Sequence, residues 1–290
     1  MINFCGINFE HPIINSSGCW VRTKEQILEL SESRLAGITL KTVTLDPKNA
    51  NIEPNFYKTD NLIFNCMGCP NLGYDYYKDI IINKPLIISV LGNNLDELKI
   101  MLQDYNKLNN NKRLVEINIS CPNLENRIPG YHCKDIIKII YTIKDIETNN
   151  LVMGFKLPPY LEINKINKIA QLLNKHDIIK FITCSNTIPN GLVLQNQEPI
   201  LSKTFGGISG KVNKYIATSN IFNFKKYLKN IQIIGCGGIN SLEDIKDYLS
   251  VGASLVQVGS NFYSQDHDTL DSIKINSLIE EYFHIYFIIF

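Results

Sequence analysis

Leu114-Val115-Glu116-Ile117-Asn118-Ile119-Ser120-Cys121-Pro122-Asn123 reads as a strand that gives way to a loop. Leu114, Val115, Ile117 and Ile119 supply the apolar and β-branched side chains of a strand. Pro122 stops ladder pairing and stiffens the backbone. A thiol, a hydroxyl and two carboxamides therefore gather where the strand ends. Thiol chemistry needs such a sulfur, partly exposed among polar neighbours on a rigid scaffold. The stretch alone leaves Cys121 open between a reactive thiol and an inert small hydrophobe.

The same kind of run recurs along the chain. Strands are predicted at Pro12–Asn15, Gly37–Val43, Leu86–Leu91, Leu114–Ser120, Val152–Leu157, Phe181–Ser185, Gln232–Gly235 and Leu255–Val258. Helix-like stretches lie between them at Thr23–Leu35, Leu95–Leu108, Lys134–Ile146, Ile163–Lys175, Val212–Leu228 and Leu242–Val251. Asn94, and Ser241 with Asp244 behind it, have the chemistry of N-caps. The strand runs are near-continuous rather than alternating, as parallel strands covered by helices should be. Eight β/α alternations without a break in composition predict an α/β protein, a single (β/α)₈ TIM barrel domain over residues 1–290. An open doubly wound sheet is the alternative. The count of eight argues against it, as does the absence of a Gly-x-Gly-x-x-Gly turn after the first strand.

A barrel demands that site residues stand at the C-terminal ends of strands, with phosphate binding after strands seven and eight. The chain complies. Strand one ends in Asn15-Ser16-Ser17-Gly18, and strand two carries Lys41-Thr42. Strand four ends in Asn118 and Ser120-Cys121-Pro122-Asn123, strand five in Lys156, and strand six in Ser185-Asn186-Thr187. Gly235-Cys236-Gly237-Gly238 follows strand seven, and Gly259-Ser260 follows strand eight. Glycines there let backbone N–H groups approach an anion, and a following helix N-terminus adds its dipole. Lysine is rarely buried without a partner, so Lys41 and Lys156 should face an anion or an electron-rich ring. Asn118, Asn123, Asn186 and Asn65 offer paired donors and acceptors that match a planar cyclic amide. A phosphate-anchored cofactor, a planar amide substrate and a poised thiol result, and flavin mononucleotide (FMN) suits the first.

Other features narrow the class. A net charge of +1 gives no electrostatic footprint for a nucleic acid or an anionic membrane. The eight cysteines belong to a chain too long to need disulfide staples, which points to a reducing, cytoplasmic setting. No His, Asp or Glu cluster has metal spacing, and no metal is expected. The five histidines are scattered and read as structural or surface groups. Cys66-x-x-Cys69 lacks the second pair of a zinc site and the helix of a redox motif, and reads as two loop cysteines. Met1–Cys5 has no leader character. The apolar stretch Tyr282–Phe290 is shorter than the roughly 20 residues of a membrane span and is expected to pack on the body or on a partner.

Several stretches closely resemble the class 1A dihydroorotate dehydrogenases. They are Asn65-Cys66-Met67-Gly68-Cys69-Pro70-Asn71-Leu72-Gly73, Asn118-Ile119-Ser120-Cys121-Pro122-Asn123, Gly154-Phe155-Lys156-Leu157-Pro158-Pro159-Tyr160, Phe205-Gly206-Gly207-Ile208-Ser209-Gly210 and Ile234-Gly235-Cys236-Gly237-Gly238. The resemblance implies an FMN oxidoreductase of pyrimidine biosynthesis, which oxidises dihydroorotate to orotate and returns the electrons to fumarate, forming succinate. By that likeness Cys121 removes the C5 proton while hydride leaves C6 for flavin N5. Lys41, Asn65, Met67, Gly68, Cys69, Asn118, Asn123, Asn186 and Thr187 would hold the substrate. Ser17, Gly18, Lys41, Thr42, Asn118, Lys156, Ser185, Gly210, Gly237, Gly238, Gly259 and Ser260 would hold FMN. A cytoplasmic homodimer is also implied. The loop Leu124-Glu125-Asn126-Arg127-Ile128-Pro129-Gly130 departs from the family's closing loop, and Asn55 stands near where the family carries an arginine. Another FMN barrel acting on a dihydropyrimidine, or an impaired barrel that only binds FMN or orotate, are the alternatives.

Overall fold

A computed structural model describes residues 1–18, 21–108, 113–121, 127–146, 151–263 and 271–288. Eight parallel strands form a barrel: Ile13–Asn15, Ile38–Thr39, Leu86–Val90, Arg113–Asn118, Leu151–Leu157, Ile179–Cys184, Gln232–Cys236 and Leu255–Val258. Each falls within or overlaps an expected run, and they pair in the order 1-8-7-6-5-4-3-2. All six expected helices form, with ends moved by at most three residues. Asn94 caps its helix through Glu97 N–H, and Ser241 with Asp244 makes a full capping box. These side chains satisfy backbone donors that the first helical turn leaves free.

Strands one and two share no ladder, so the barrel needs another closure. The Asn15 side chain provides it. Its Nδ2 donates to Thr39 O at 2.7 Å and its Oδ1 accepts from Thr39 N at 2.8 Å, as a peptide unit would. Asn15 is fully buried, so these bonds replace water that cannot reach the seam.

Two-residue periodicity sorts the barrel interior into layers. At the strands' N-terminal ends Ile14, Ile87, Leu114, Phe181, Ile234 and Leu255 form an apolar layer. The hairpin Ile2–Phe4 and Ile7–Phe9 plugs it with Phe4 and Phe9. One step up stand Thr39, Ser89, Glu116, Thr183 and Gln257, all fully buried. The next step is the floor of the site. The alternate strand residues, such as Val115, Ile117, Ile88, Phe155 and Val256, pack outward against the helices.

Besides the N-terminal hairpin, the sequence reading missed several elements, two of which bear on the site and the body. A four-stranded antiparallel sheet, ordered Ile188–Leu192, Phe205–Gly210, Leu62–Asn65 and Phe56–Lys58, rises beside the C-terminal ends of the barrel strands. The apolar C-terminal stretch belongs to a helix, Ser272–Ile288. Ile275, Leu278, Ile279 and Tyr282 bury against the body, and Phe283 meets the His11 ring at 5.4 Å. Packing on the body was one of the two expected outcomes. His11 is itself structural: buried, with Nε2 bonded to Arg34 O.

Candidate active site

A cavity of about 1030 Å³ opens at the C-terminal ends of the strands. Of the residues singled out above, Ser17, Gly18, Lys41, Thr42, Asn65, Met67, Gly68, Cys69, Asn118, Cys121, Lys156, Ser185, Asn186, Thr187, Gly237, Gly238, Gly259 and Ser260 all line it. Gly210 does not line it. Its carbonyl lies behind Gly238, where a Cβ would sit 2.6 Å away. Asn123 lies outside the described residues. The lining also includes Ser120, Lys48, Asn51 and Lys203, which sequence reasoning did not select.

A chain of bonds orients the carboxamides. Ser120 N and Oγ both donate to Asn118 Oδ1, at 3.2 and 2.6 Å. Asn118 Nδ2 is thereby turned toward Thr42 Oγ1 and the Cys121 sulfur, each at 3.4 Å. Asn186 Nδ2 donates to Ser120 Oγ while its Oδ1 accepts from Thr187 N at 2.8 Å. Strand six is thus coupled to strand four through one hydroxyl. Asn186 keeps one N–H and one lone pair of its amide for a ligand, whereas Asn118 could serve one by giving up a long 3.4 Å bond from Nδ2.

Burial pushes the half-buried Cys121 thiol up, and the neighbouring Cys69 thiol adds to the effect. The Asn118 hydrogen bond and the Lys41 and Lys156 ammonium groups oppose it, leaving a value of about 11. Cys66 and Cys69 do not face one another as a redox pair would. The first approaches Ser202 Oγ at 3.9 Å and the second Thr42 O at 3.7 Å. Every cysteine among the described residues is a free thiol.

Charge sets the ligand class. The described lining contains four lysines, Lys41, Lys48, Lys156 and Lys203, and no aspartate or glutamate. Lys48 bonds the Asn93 amide at 3.1 Å. Lys41 is only 6 % exposed and has no hydrogen-bond or ion-pair partner among the described residues. Lys156 Nζ donates to Ser17 Oγ at 3.1 Å and Gln257 Oε1 at 3.3 Å, and it lies 3.6 Å from Glu116 Oε1 behind the cavity floor. Glu116 was missed in the sequence although it stands two residues before Asn118, on the same strand face.

A flavin phosphate fits these residues. Gly238 (φ +64°) packs its α-carbon against the Gly210 carbonyl, and a Cβ on Gly259 would meet Ser16 Oγ at 2.7 Å. Neither turn has room for a side chain, and both line the cavity beside the hydroxyls of Ser17, Ser185 and Ser260, as a phosphate cradle requires. Among the described residues no group of three or more His, Cys, Asp or Glu side chains is placed to hold a metal ion. No helix there is long and apolar enough to cross a membrane.

Fold and site together define a (β/α)₈-barrel enzyme with a thiol-bearing, cationic cavity at the barrel's catalytic end. The model of the dihydroorotate dehydrogenase family matches residues 1–281, and the chain belongs to that family. A Trypanosoma brucei brucei protein named dihydroorotate dehydrogenase (fumarate) is 31% identical over 291 residues, covering 97% of this chain and 92% of that one. A protein of Streptococcus pyogenes serotype M3, whose name places it with dihydroorotate dehydrogenase A (fumarate), is 34% identical over 278 residues. That match covers 89% of this chain and 85% of the relative. The crystal structure of the Eimeria tenella enzyme in complex with ferulenol superposes with a TM-score of 0.79 at 17% identity. It covers 98% of this chain and 83% of that one, and the likeness concerns the fold. Members of the family depend on a flavin.

Proposed function

We propose that this protein oxidises dihydroorotate to orotate with FMN as its flavin and fumarate as the electron acceptor. The carrying observation is the charge of the cavity: four lysines and no carboxylate in the described lining of a chain whose net charge is only +1. Dihydroorotate, fumarate and the FMN phosphate are all anions, which suits such a lining, and a carboxylate would supply the counter-charge that the buried Lys41 lacks.

Cys121 is the base for the C5 proton in this reading. Asn118 Nδ2, bonded to Sγ, aims the sulfur and favours its thiolate. Lys41 stands unpaired where the substrate carboxylate and the flavin ring would meet it. Asn65, Asn118, Asn123, Asn186 and Thr187 hold the pyrimidine amide edges, with the Met67-Gly68-Cys69 backbone beside them. Ser17, Gly18, Thr42, Lys156, Ser185 and the turns Gly237-Gly238 and Gly259-Ser260 hold FMN, with Gly210 supporting Gly238 from behind. A flavin held there would supply the hydride acceptor for C6. The substrates are small molecules. A cytoplasmic homodimer completes the reading, and the exposed Leu192 and Phe205 on the four-stranded antiparallel sheet, with Leu194 just beyond it, supply apolar surface for a second copy.

The test is optical. Purified protein carrying FMN should bleach on anaerobic addition of dihydroorotate and regain its visible bands with fumarate. A flavin that stays oxidised with dihydroorotate overturns the proposal.

A further inference from the structure

Under the floor of the cavity lies a carboxylate that no ligand could touch. Glu116 is fully buried in the middle layer of the barrel, and groups from three other strands converge on it. Thr183 Oγ1 donates to Oε2 at 2.7 Å and Gln257 Nε2 to the same oxygen at 2.9 Å. Oε1 accepts no hydrogen bond, and its near neighbour is Lys156 Nζ at 3.6 Å. Gln257 touches both ends of the pair, since its Oε1 accepts from Lys156 Nζ. Two donors on one oxygen and an ammonium facing the other is the pattern of an ionised carboxylate.

We propose that Glu116 is a positioning residue for Lys156, a buried counter-charge that keeps the ammonium protonated and aimed at the cavity floor. The proposal rests on the flavin reading above. An ion pair taken wholly out of water is a poor source of stability, and apolar side chains would serve the barrel as well or better. The placement is better explained by what the pair presents to the cavity. Lys156 reaches Ser17 Oγ on the ligand side, so its charge lies next to the cofactor position. A fixed positive charge beside the ring favours electron density arriving there.

Burial alone would drive protons off Lys156. The Glu116 carboxylate, with smaller contributions from Cys236 and Cys121, leaves its pKa raised above the ordinary lysine value. Those thiols are the other titratable groups recorded as acting on Lys156, with Lys41 facing the same cavity.

Sulfite, which adds to oxidised flavins more tightly where a positive charge flanks the ring, is a probe independent of turnover. At about pH 9 the holoenzyme variant Glu116→Gln should bind sulfite at least about tenfold more weakly than wild type, because a buried lysine without its counter-charge loses its proton. The deficit should vanish when Glu116→Gln is compared in a Lys156→Met background. Equal or tighter binding by Glu116→Gln overturns the proposal, since Lys156 would then have kept its charge unaided. A wild-type protein that takes up no FMN would instead overturn the flavin reading. Should Glu116→Gln fail to fold, ¹³C NMR of labelled lysine in wild type decides, with Lys156 assigned by Lys156→Met. Its ε-carbon should keep the ammonium shift to about pH 10, and deprotonation below about pH 9 refutes the role.

Discussion

The thiol of Cys121 should be unreactive at neutral pH and become reactive only in alkali. With a pKa of about 11, its thiolate fraction at pH 8 is about 10⁻³, whereas an unperturbed thiol of pKa about 8.5 is about one-quarter ionised. Alkylation by iodoacetamide requires the thiolate. In the ligand-free protein it should therefore run roughly 200-fold slower at Cys121 than at free cysteine at pH 8. The rate should climb about tenfold per pH unit to beyond pH 10. Quantifying the Cys121 peptide by mass spectrometry after timed alkylation gives the profile, and the fully buried Cys184, pushed higher still by burial, is the internal control. Cys69→Ala should move the curve to lower pH and Lys41→Met to higher pH, because the first residue raises and the second lowers the Cys121 value. In the proposed function proton removal from substrate would draw on the same thiolate, so turnover limited by that step should rise over the same range. A reactivity plateau below pH 9, or displacements of the opposite sign, would refute the account of the site's electrostatics.

Two further substitutions test the scaffold. Asn15→Ala leaves both Thr39 backbone groups unpaired at the barrel seam. It should cost about 2–4 kcal/mol in urea denaturation, and a loss under about 1 kcal/mol would mean that other contacts close the seam. Gly238→Ala places a Cβ 2.6 Å from the Gly210 carbonyl at a φ of +64°, a conformation costing L-residues about 1–3 kcal/mol. Flavin content on purification should fall at least about tenfold with the far-ultraviolet circular dichroism unchanged. Full flavin content would remove these turns from the cofactor site.

Barrel strands are legible because burial on both faces writes them as continuous apolar runs, such as Leu86–Val90 and Leu151–Leu157. The antiparallel sheet is not legible for the opposite reason. Ile188–Leu192 contains Pro189 and Gly191, and Phe205–Gly210 contains three glycines. Its central pair joins Phe205–Gly210 to Leu62–Asn65, segments more than 130 residues apart. Such strands carry weak local propensity and are held by their partners. The site was legible where a motif sits at a strand's end, as at Asn118, Cys121 and Lys156. It was less so at Lys48, Asn51 and Lys203, which reach the cavity from loops with no motif of their own.

Glu116 marks a different limit. It could have been found by asking what neutralises Lys156, because a lysine predicted inside a barrel needs a counter-charge within a few ångströms. Counting back two residues from Asn118 along the strand leads to it. The same question separates the three cavity lysines that are not solvent-exposed. Lys156 has its carboxylate inside the protein and Lys48 has an amide, so their demands are partly met before any ligand arrives. Lys41 has neither, although it is as deeply buried as Lys156. The described residues therefore offer Lys41 no counter-charge of their own, and the side chain lies within electrostatic reach of the Cys121 thiol. In the proposed function a substrate carboxylate would supply that partner, which would make Lys41 a selector for anionic substrates.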